Sequence, residues 1–320
     1  MKKWAIRLIP IVFYVLLAVF LVLYLRTIDF ERILEIDFDW RWIAVASVIA
    51  MFSRYWFVYI WLVILTSLGA SKFENIPELS YVYAKSWLGR YIPGTAPWIL
   101  GKIYFASQKG LSKSKLAVSS FLEGGLQVIV LLVVGLVMVL VDSRTSLIDP
   151  ALKWTMAAVA VAGIVALIPP IFNRIAALGY RIIRKKQLSP DDLPRWSTVG
   201  RGAGLYLIGS LLSGLSMFFV AKAVWPELPW ETLLYVVGAA NLASAASMVA
   251  IFVPSGIGVR EAILVALLSV VMPTEFAFVA AIVLRLWSIL IDLLFFAVAS
   301  VHTRIHNRRN PPQVTADVAP

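Results

Sequence analysis

The sequence predicts an all-α polytopic membrane protein, with about six full transmembrane helices and two oppositely oriented broken hairpins arranged as inverted repeats. Three observations predict it. Of 320 residues, 61% are apolar and 15% charged, against about 45–50% and about 25% in a soluble domain. The apolar residues gather into nearly uncharged runs of about 18–25, and roughly 20 suffice to cross about 30 Å of hydrocarbon. Two further runs are interrupted by Pro/Gly clusters, at Pro93-Gly94 with Pro97 and at Pro254-Ser255-Gly256-Ile257-Gly258. A soluble enzyme is excluded at this step.

The first span is 8–25. Lys2, Lys3 and Arg7 precede it, as in a signal peptide, but the run exceeds an h-region of about 7–15 residues and no small-x-small cleavage site follows. Segment 29–39 is acidic (Asp29, Glu31, Glu35, Asp37, Asp39) and reads as a short external surface helix. The second span is 42–66. Segment 76–108 is hydrophobic but broken, because Pro and Gly together stop a helix. Spans follow at 117–141 and 151–172. Loop 173–202 sets Arg174, Arg181, Arg184, Lys185 and Lys186 beside Ile175, Leu178, Ile182 and Ile183. This suits an interfacial basic helix facing anionic lipid, and simple topology anchoring explains it equally well. The fifth span is 203–224. Segment 231–272 is the second broken one, although 231–253 alone is long enough to cross. The sixth span is 277–300, and residues 311–320 read as a disordered tail.

Lys and Arg set the orientation. Twenty of the 29 lie in segments 1–7, 69–115, 173–202 and 301–320, and five in the alternate segments. This places both termini in the cytoplasm. Segment 76–108 must then start and finish inside, and 231–272 must start and finish outside. Each is a re-entrant hairpin, for broken backbone at membrane depth is allowed only where protein or a wet cavity covers it. The chain divides into a first repeat, 1–142, and a second, 143–310, with hairpin tips 161 residues apart. Transporters built this way place substrate where the two broken elements meet.

The candidate site residues follow. Around the first tip stand Arg90, Pro93, Gly94, Thr95 and Lys102; around the second, Pro254, Ser255, Gly256, Gly258, Arg260 and Glu261. At each tip a helix ends, the chain reverses and a new helix begins. A helix N-terminus offers free N–H groups and about half a positive charge, a ready anion site. The arginines and lysine add full charges suited to a phosphate headgroup. The structural alternative is that Arg90 and Lys102 snorkel to the interface and that Arg260 and Glu261 form a plain internal ion pair. Glu123, with Gln127 on the same helix face, is a further buried charge, and an arginine from the other repeat is its expected partner. Arg54, Arg285 and Asp292 are coupling or structural charges by the same rule, since intramembrane ionisable groups are functional hypotheses by default.

Other chemistries are poorly served. There is no cysteine, and the two histidines, His302 and His306, lie near the C-terminus. No catalytic residue, metal site or cofactor is expected. The net charge of +11 follows from positive-inside loops, and no nucleic-acid partner is expected.

The two motifs resemble the transmembrane, flippase-like region of lysylphosphatidylglycerol synthases, found also as stand-alone membrane proteins. The resemblance rests on Tyr91-Ile92-Pro93-Gly94 with Gly101 and Lys102, on the Glu123 helix, and on Val253-Pro254-Ser255-Gly256-Ile257-Gly258-Val259-Arg260-Glu261. The family pattern is close to V-P-G-G-x-G-x-R-E, with Ser255 here in place of the first glycine. Thr95-Ala96-Pro97-Trp98 replaces a more glycine-rich stretch. What the resemblance implies is lipid handling in the cell membrane, with a bacterial inner membrane expected. The 320 residues carry no soluble aminoacyltransferase domain, so synthesis of lysylphosphatidylglycerol is not expected.

The expected function is therefore a flippase-like transporter of an anionic, phosphate-bearing lipid or lipid-linked precursor. Its partners would be membrane lipids and an envelope-lipid or glycolipid biosynthetic enzyme. Two alternatives stand beside it: a membrane-embedded transferase acting on a polyprenyl-linked substrate, and a non-transporting partner of an envelope-lipid enzyme.

Overall fold

The computed structural model describes residues 38–69, 75–91, 96–108, 110–147, 149–184, 194–249 and 258–309, besides Val15 and Val19. The expected first span, most of the acidic segment 29–39 and the tail 311–320 lie outside the described residues. So do Pro93, Gly94 and Thr95 of the first turn, and Pro254, Ser255 and Gly256 of the second. Among the described residues the fold is ten α-helices and no strand.

Helix α1 (Trp40–Ser67) starts at Asp39, whose carboxylate accepts the Arg41 N–H. The side-chain hydrogen bond from Arg41 also holds the Asp39 carboxyl below its usual range. Two short helices follow, α2 (Ile76–Trp87) and α3 (Ala96–Ser107), at 12 residues each. The Asn75 side chain caps α2 by accepting from the Glu78 N–H, with Pro77 in the first turn. At 1.5 Å per residue each is about 18 Å long, too short to cross. They pack against each other. Helix α4 (Lys113–Val141) runs 29 residues.

Helix α5 (Pro150–Ala166) differs from expectation. The span predicted at 151–172 stops at Ala166, and α6 (Pro169–Arg184) leaves at 91°. The cause is Pro169-Pro170: neither residue has an N–H to continue the ladder, whereas proline suits the first turn of a new helix. Phe172 and Ala176 of α6 are buried, and Ile175 and Leu178 are exposed.

Helix α7 (Trp196–Val224) is followed by α8 (Leu233–Val249), α9 (Val259–Leu268) and α10 (Thr274–Arg309). Five stretches are long and apolar enough to cross a membrane: α1, α4, α7, Trp230–Val249 and α10, or six with the bent α5–α6 pair. Length therefore permits Trp230–Val249 to cross by itself. Gly258, at φ +80, turns the chain into α9; only glycine adopts that angle freely.

Helix α1 packs along α7, and α4 along α8. The last helix, α10, packs on α2 and on α9, while α3 packs on α4. Among the described residues two large apolar cores result, one around Trp61, Leu79, Leu122 and Phe295 and the other around Phe218, Val236, Leu268 and Leu284, with a small third cluster of Leu88, Tyr91 and Ile289. The polarity is inverted relative to a soluble protein. Val48, Val141 and Leu290 lie on the outside, while Lys102, Glu123, Arg285 and Asp292 lie inside. Tryptophans Trp40, Trp154, Trp196 and Trp230 are exposed at or near helix starts, where aromatic rings favour the membrane–water boundary.

Candidate functional site

Two charged centres sit between the helices. The first is built on Asp292, the nineteenth of the 36 residues of α10. Its carboxylate accepts from Arg54 Nε at 2.7 Å and from the Tyr91 hydroxyl at 2.6 Å. Arg90 NH1 stands 3.8 Å away. Arg54 is the fifteenth of 28 residues of α1, so both partners lie near mid-helix. Leu88–Tyr91 form a 3-10 turn at the end of α2, which delivers Arg90 and Tyr91 to one place. The Arg90 guanidinium lies over the Trp87 ring, 4.7 Å from its centroid.

Helix α9 reaches the same region. Arg285 lies seven residues, about two turns, before Asp292 on the same face of α10, over the Tyr91 ring at 6.0 Å, and pairs with Glu261 at 3.7 Å. The other Glu261 oxygen accepts the Gly258 N–H at 2.8 Å, closing the first turn of α9. Arg260 is buried, with NH2 3.4 Å from the sulfur of Met217 on α7. Arg285, Arg90, Glu261 and Tyr91 lie within electrostatic range of it. Among the described residues, four arginines and two carboxylates gather here. The burial of a guanidinium is costly unless paired or hydrated. Two buried donors there, Arg260 Nε and Trp87 Nε1, have no hydrogen-bond acceptor. Each such orphan costs about 1–3 kcal/mol, and the buried Glu261 Oε1 likewise has no hydrogen-bond donor.

The second centre is local. Lys102 on α3 and Glu123 on α4 pair at 2.5 Å, both fully buried. The second Glu123 oxygen accepts from the Tyr83 hydroxyl at 3.1 Å. The rings of Tyr83, Trp98 and Trp61 surround the ammonium at 4.1, 4.9 and 5.0 Å. Trp87 joins the two centres: it stacks on Tyr83 and meets Trp98 edge-on, at 5.9 and 6.0 Å.

The structure therefore brings Arg90, Arg260, Glu261, Arg54, Arg285 and Asp292 into one centre, with Gly258 at its edge. Lys102 and Glu123 form the other. The arginine expected as the partner of Glu123 is replaced by Lys102, from the same half, because α3 folds back on α4. Gln127 is also buried on α4. Sequence reasoning missed the role of Tyr91 and the whole aromatic set, Trp61, Tyr83, Trp87 and Trp98. The readable signal was spacing: Tyr83 and Trp87, like Trp98 and Lys102, are four apart and share a helix face.

A family model described as the lysylphosphatidylglycerol synthase TM region matches residues 7–295. No curated protein and no solved structure matches the chain.

Proposed function

The chain belongs to the family of the lysylphosphatidylglycerol synthase transmembrane region, and on that premise we propose that it is a flippase-like membrane transporter of an anionic, phosphate-bearing lipid. The headgroup binds at the arginine centre, held by Arg90, Arg260 and Arg285. Arg54 and Asp292 fix the mid-helix crossing that supports it. The observation that carries this reading is the buried orphan donor Arg260 Nε, within electrostatic range of Arg90 and Arg285, with a second orphan donor at Trp87 Nε1.

The packing supports an inverted-repeat transporter. The pair α2–α3 and the pair α8–α9 are the two hairpins. Each leads with a helix that packs on the closing span of the opposite half, α2 on α10 and α8 on α4. The matching spans α1 and α7 pack on each other. In this reading both termini are cytoplasmic and the hairpins enter from opposite sides. One repeat rocking against the other exposes the site alternately. The Lys102–Glu123 pair neutralises itself and supports the site without binding phosphate. Glu123 is engaged by Lys102 and Asp292 by Arg54 and Tyr91, while Glu261 caps Gly258 through one oxygen and reaches Arg285 at 3.7 Å through the other.

The test is native mass spectrometry of the gently purified protein, wild type against Arg260→Ala. A phospholipid or polyprenyl phosphate that co-purifies with wild type and is lost from the variant supports the reading and supplies the substrate for a proteoliposome transport assay. Identical bulk lipids on both proteins would sink it.

A further inference from the structure

A cavity of about 220 Å³ lies where α2, α3 and the end of α10 meet. It is smaller than the roughly 300–1,000 Å³ of a pocket for a whole drug-sized ligand, and suits a headgroup fragment. Thr303 and Asn307 line it from the mostly polar stretch of α10 beyond Val301, so it lies where that helix leaves the apolar layer. Two bonds fix this wall. The Thr303 hydroxyl donates to the Pro77 carbonyl at 2.8 Å, and Asn307 Oδ1 accepts from Asn75 Nδ2 at 3.3 Å. Lys85 lines the cavity from α2. Its ammonium lies over the Phe105 ring at 4.2 Å and the Tyr81 ring at 5.8 Å, and no carboxylate pairs with it among the described residues. The Asn307 amide nitrogen and the Gln108 amide, also on the wall, make no hydrogen bond among the described residues. The arginine centre is elsewhere: Thr303 follows Asp292 by eleven residues, roughly 16 Å along α10.

We propose that this cavity is an anion site separate from the arginine centre, which takes a phosphate group, from a lipid headgroup or a small soluble phosphate, with Lys85 supplying the charge. Aromatic rings hold an ammonium without neutralising it, so the charge of Lys85 stays available to an anion. A phosphate presents several acceptor oxygens, and the wall offers three donor groups without acceptors: the ammonium and two amides. Lysine binds phosphate as a point charge. The surroundings have the matching sign. Arg304 and Arg308 on α10, Lys113 on α4 and Arg201 on α7 are exposed at this end of the bundle, and Glu78 is its single carboxylate among the described residues. Such a one-signed surface raises the local concentration of anions. Glu78 also lines the cavity, seven residues before Lys85 on α2, roughly 10 Å along the axis.

The test reads Lys85 directly in the wild-type protein. Its rate of acetylation by an amine-reactive ester is followed by peptide mass spectrometry, with the protein in a phosphate-free maltoside detergent. Lys113, which is exposed and does not line the cavity, is the internal reference. Inorganic phosphate and phosphatidylglycerol are titrated separately, against sodium chloride at equal ionic strength. Acetylation of Lys85 should slow about tenfold relative to Lys113 once a ligand stands at ten times its Kd. Protection by the lipid alone supports the proposal with a headgroup as the source of the phosphate, and protection by inorganic phosphate supports it with a soluble source. Glu78→Gln removes the opposing charge, so protection should arrive at a lower concentration of either ligand. The proposal is overturned if both ligands slow Lys85 no more than Lys113, if diacylglycerol, which has no phosphate, protects Lys85 equally, or if Lys85 resists acetylation with no ligand present. Arg260→Ala should leave the protection of Lys85 unchanged. Lipid lost from that variant, with Lys85 unprotected in wild type, overturns this site alone. Lipid retained by it, with Lys85 protected, overturns the arginine centre alone.

Discussion

Arg54 and Asp292, 238 residues apart in the chain, meet at 2.7 Å between α1 and α10. Asp292 is fully enclosed and also holds Tyr91. Breaking a buried pair by removing one partner costs about 3–5 kcal/mol, whereas replacing both by apolar groups is often neutral. Asp292→Asn is therefore expected to lower the melting temperature markedly, followed by circular dichroism in detergent. The double variant Arg54→Met with Asp292→Leu should recover most of the loss. If the double variant melts below both singles, the pair is not the source of stability.

Trp87→Phe isolates a donor from a ring. Phenylalanine keeps an aromatic face for Arg90 and for Tyr83, but removes the orphan Nε1–H. The expected outcome is a delipidated protein as stable as wild type or more so, by up to about 1–3 kcal/mol, that retains less anionic lipid. Unchanged lipid retention would show that Nε1 does not face the headgroup.

Glu261 does two things, and two substitutions separate them. It caps α9 at Gly258 and pairs with Arg285. Glu261→Gln keeps an oxygen for the cap while removing the negative charge, so anionic lipid should survive higher salt before release. Glu261→Ala loses the cap as well, at about 0.5–2 kcal/mol, and should melt earlier than Glu261→Gln. Equal melting temperatures for the two would remove the cap from the account.

The crossing of α4 and α8 tolerates no side chain at Gly135. A Cβ there would lie 2.9 Å from the Leu242 backbone nitrogen and 2.7 Å from its Cγ. Gly135→Ala should destabilise by about 1–3 kcal/mol, the usual cost of overpacking. Gly204→Ala meets nothing within 4 Å and, by helix propensity, should be neutral or slightly stabilising. A thermal melt of both variants decides it.

The long helices α1, α4, α7 and α10 were legible as apolar runs, since lipid demands an uninterrupted apolar stretch. Their ends were less so: α10 runs on to Arg309, because beyond the apolar run its helix continues on polar residues. The bend after Ala166 escaped because a run of apolar residues conceals a proline pair at its end. In the site, Arg54, Glu123, Arg285 and Asp292 each stood out as a charge in an apolar run. Their pairing did not, for partners 201 and 238 residues apart are set by which helices touch. The aromatic residues were hardest to read. In a membrane segment Trp61 and Tyr83 look like lipid-facing filler, and only the folding of α2 and α3 against α4 turns them inward.

The two charged centres also differ in when they can exist. Lys102 and Glu123 are 21 residues apart, so at about 5–20 residues per second they are both synthesised within a few seconds. Arg54 waits for Asp292 across 238 residues, roughly 10–50 s at the same rate. Through that interval α1 carries a guanidinium without its final counterion, which favours its staying near water or against the insertion machinery. The bundle thus has a birth order: the lysine centre is its first fixed point, and the arrival of α10 is the step that locks the arginine centre.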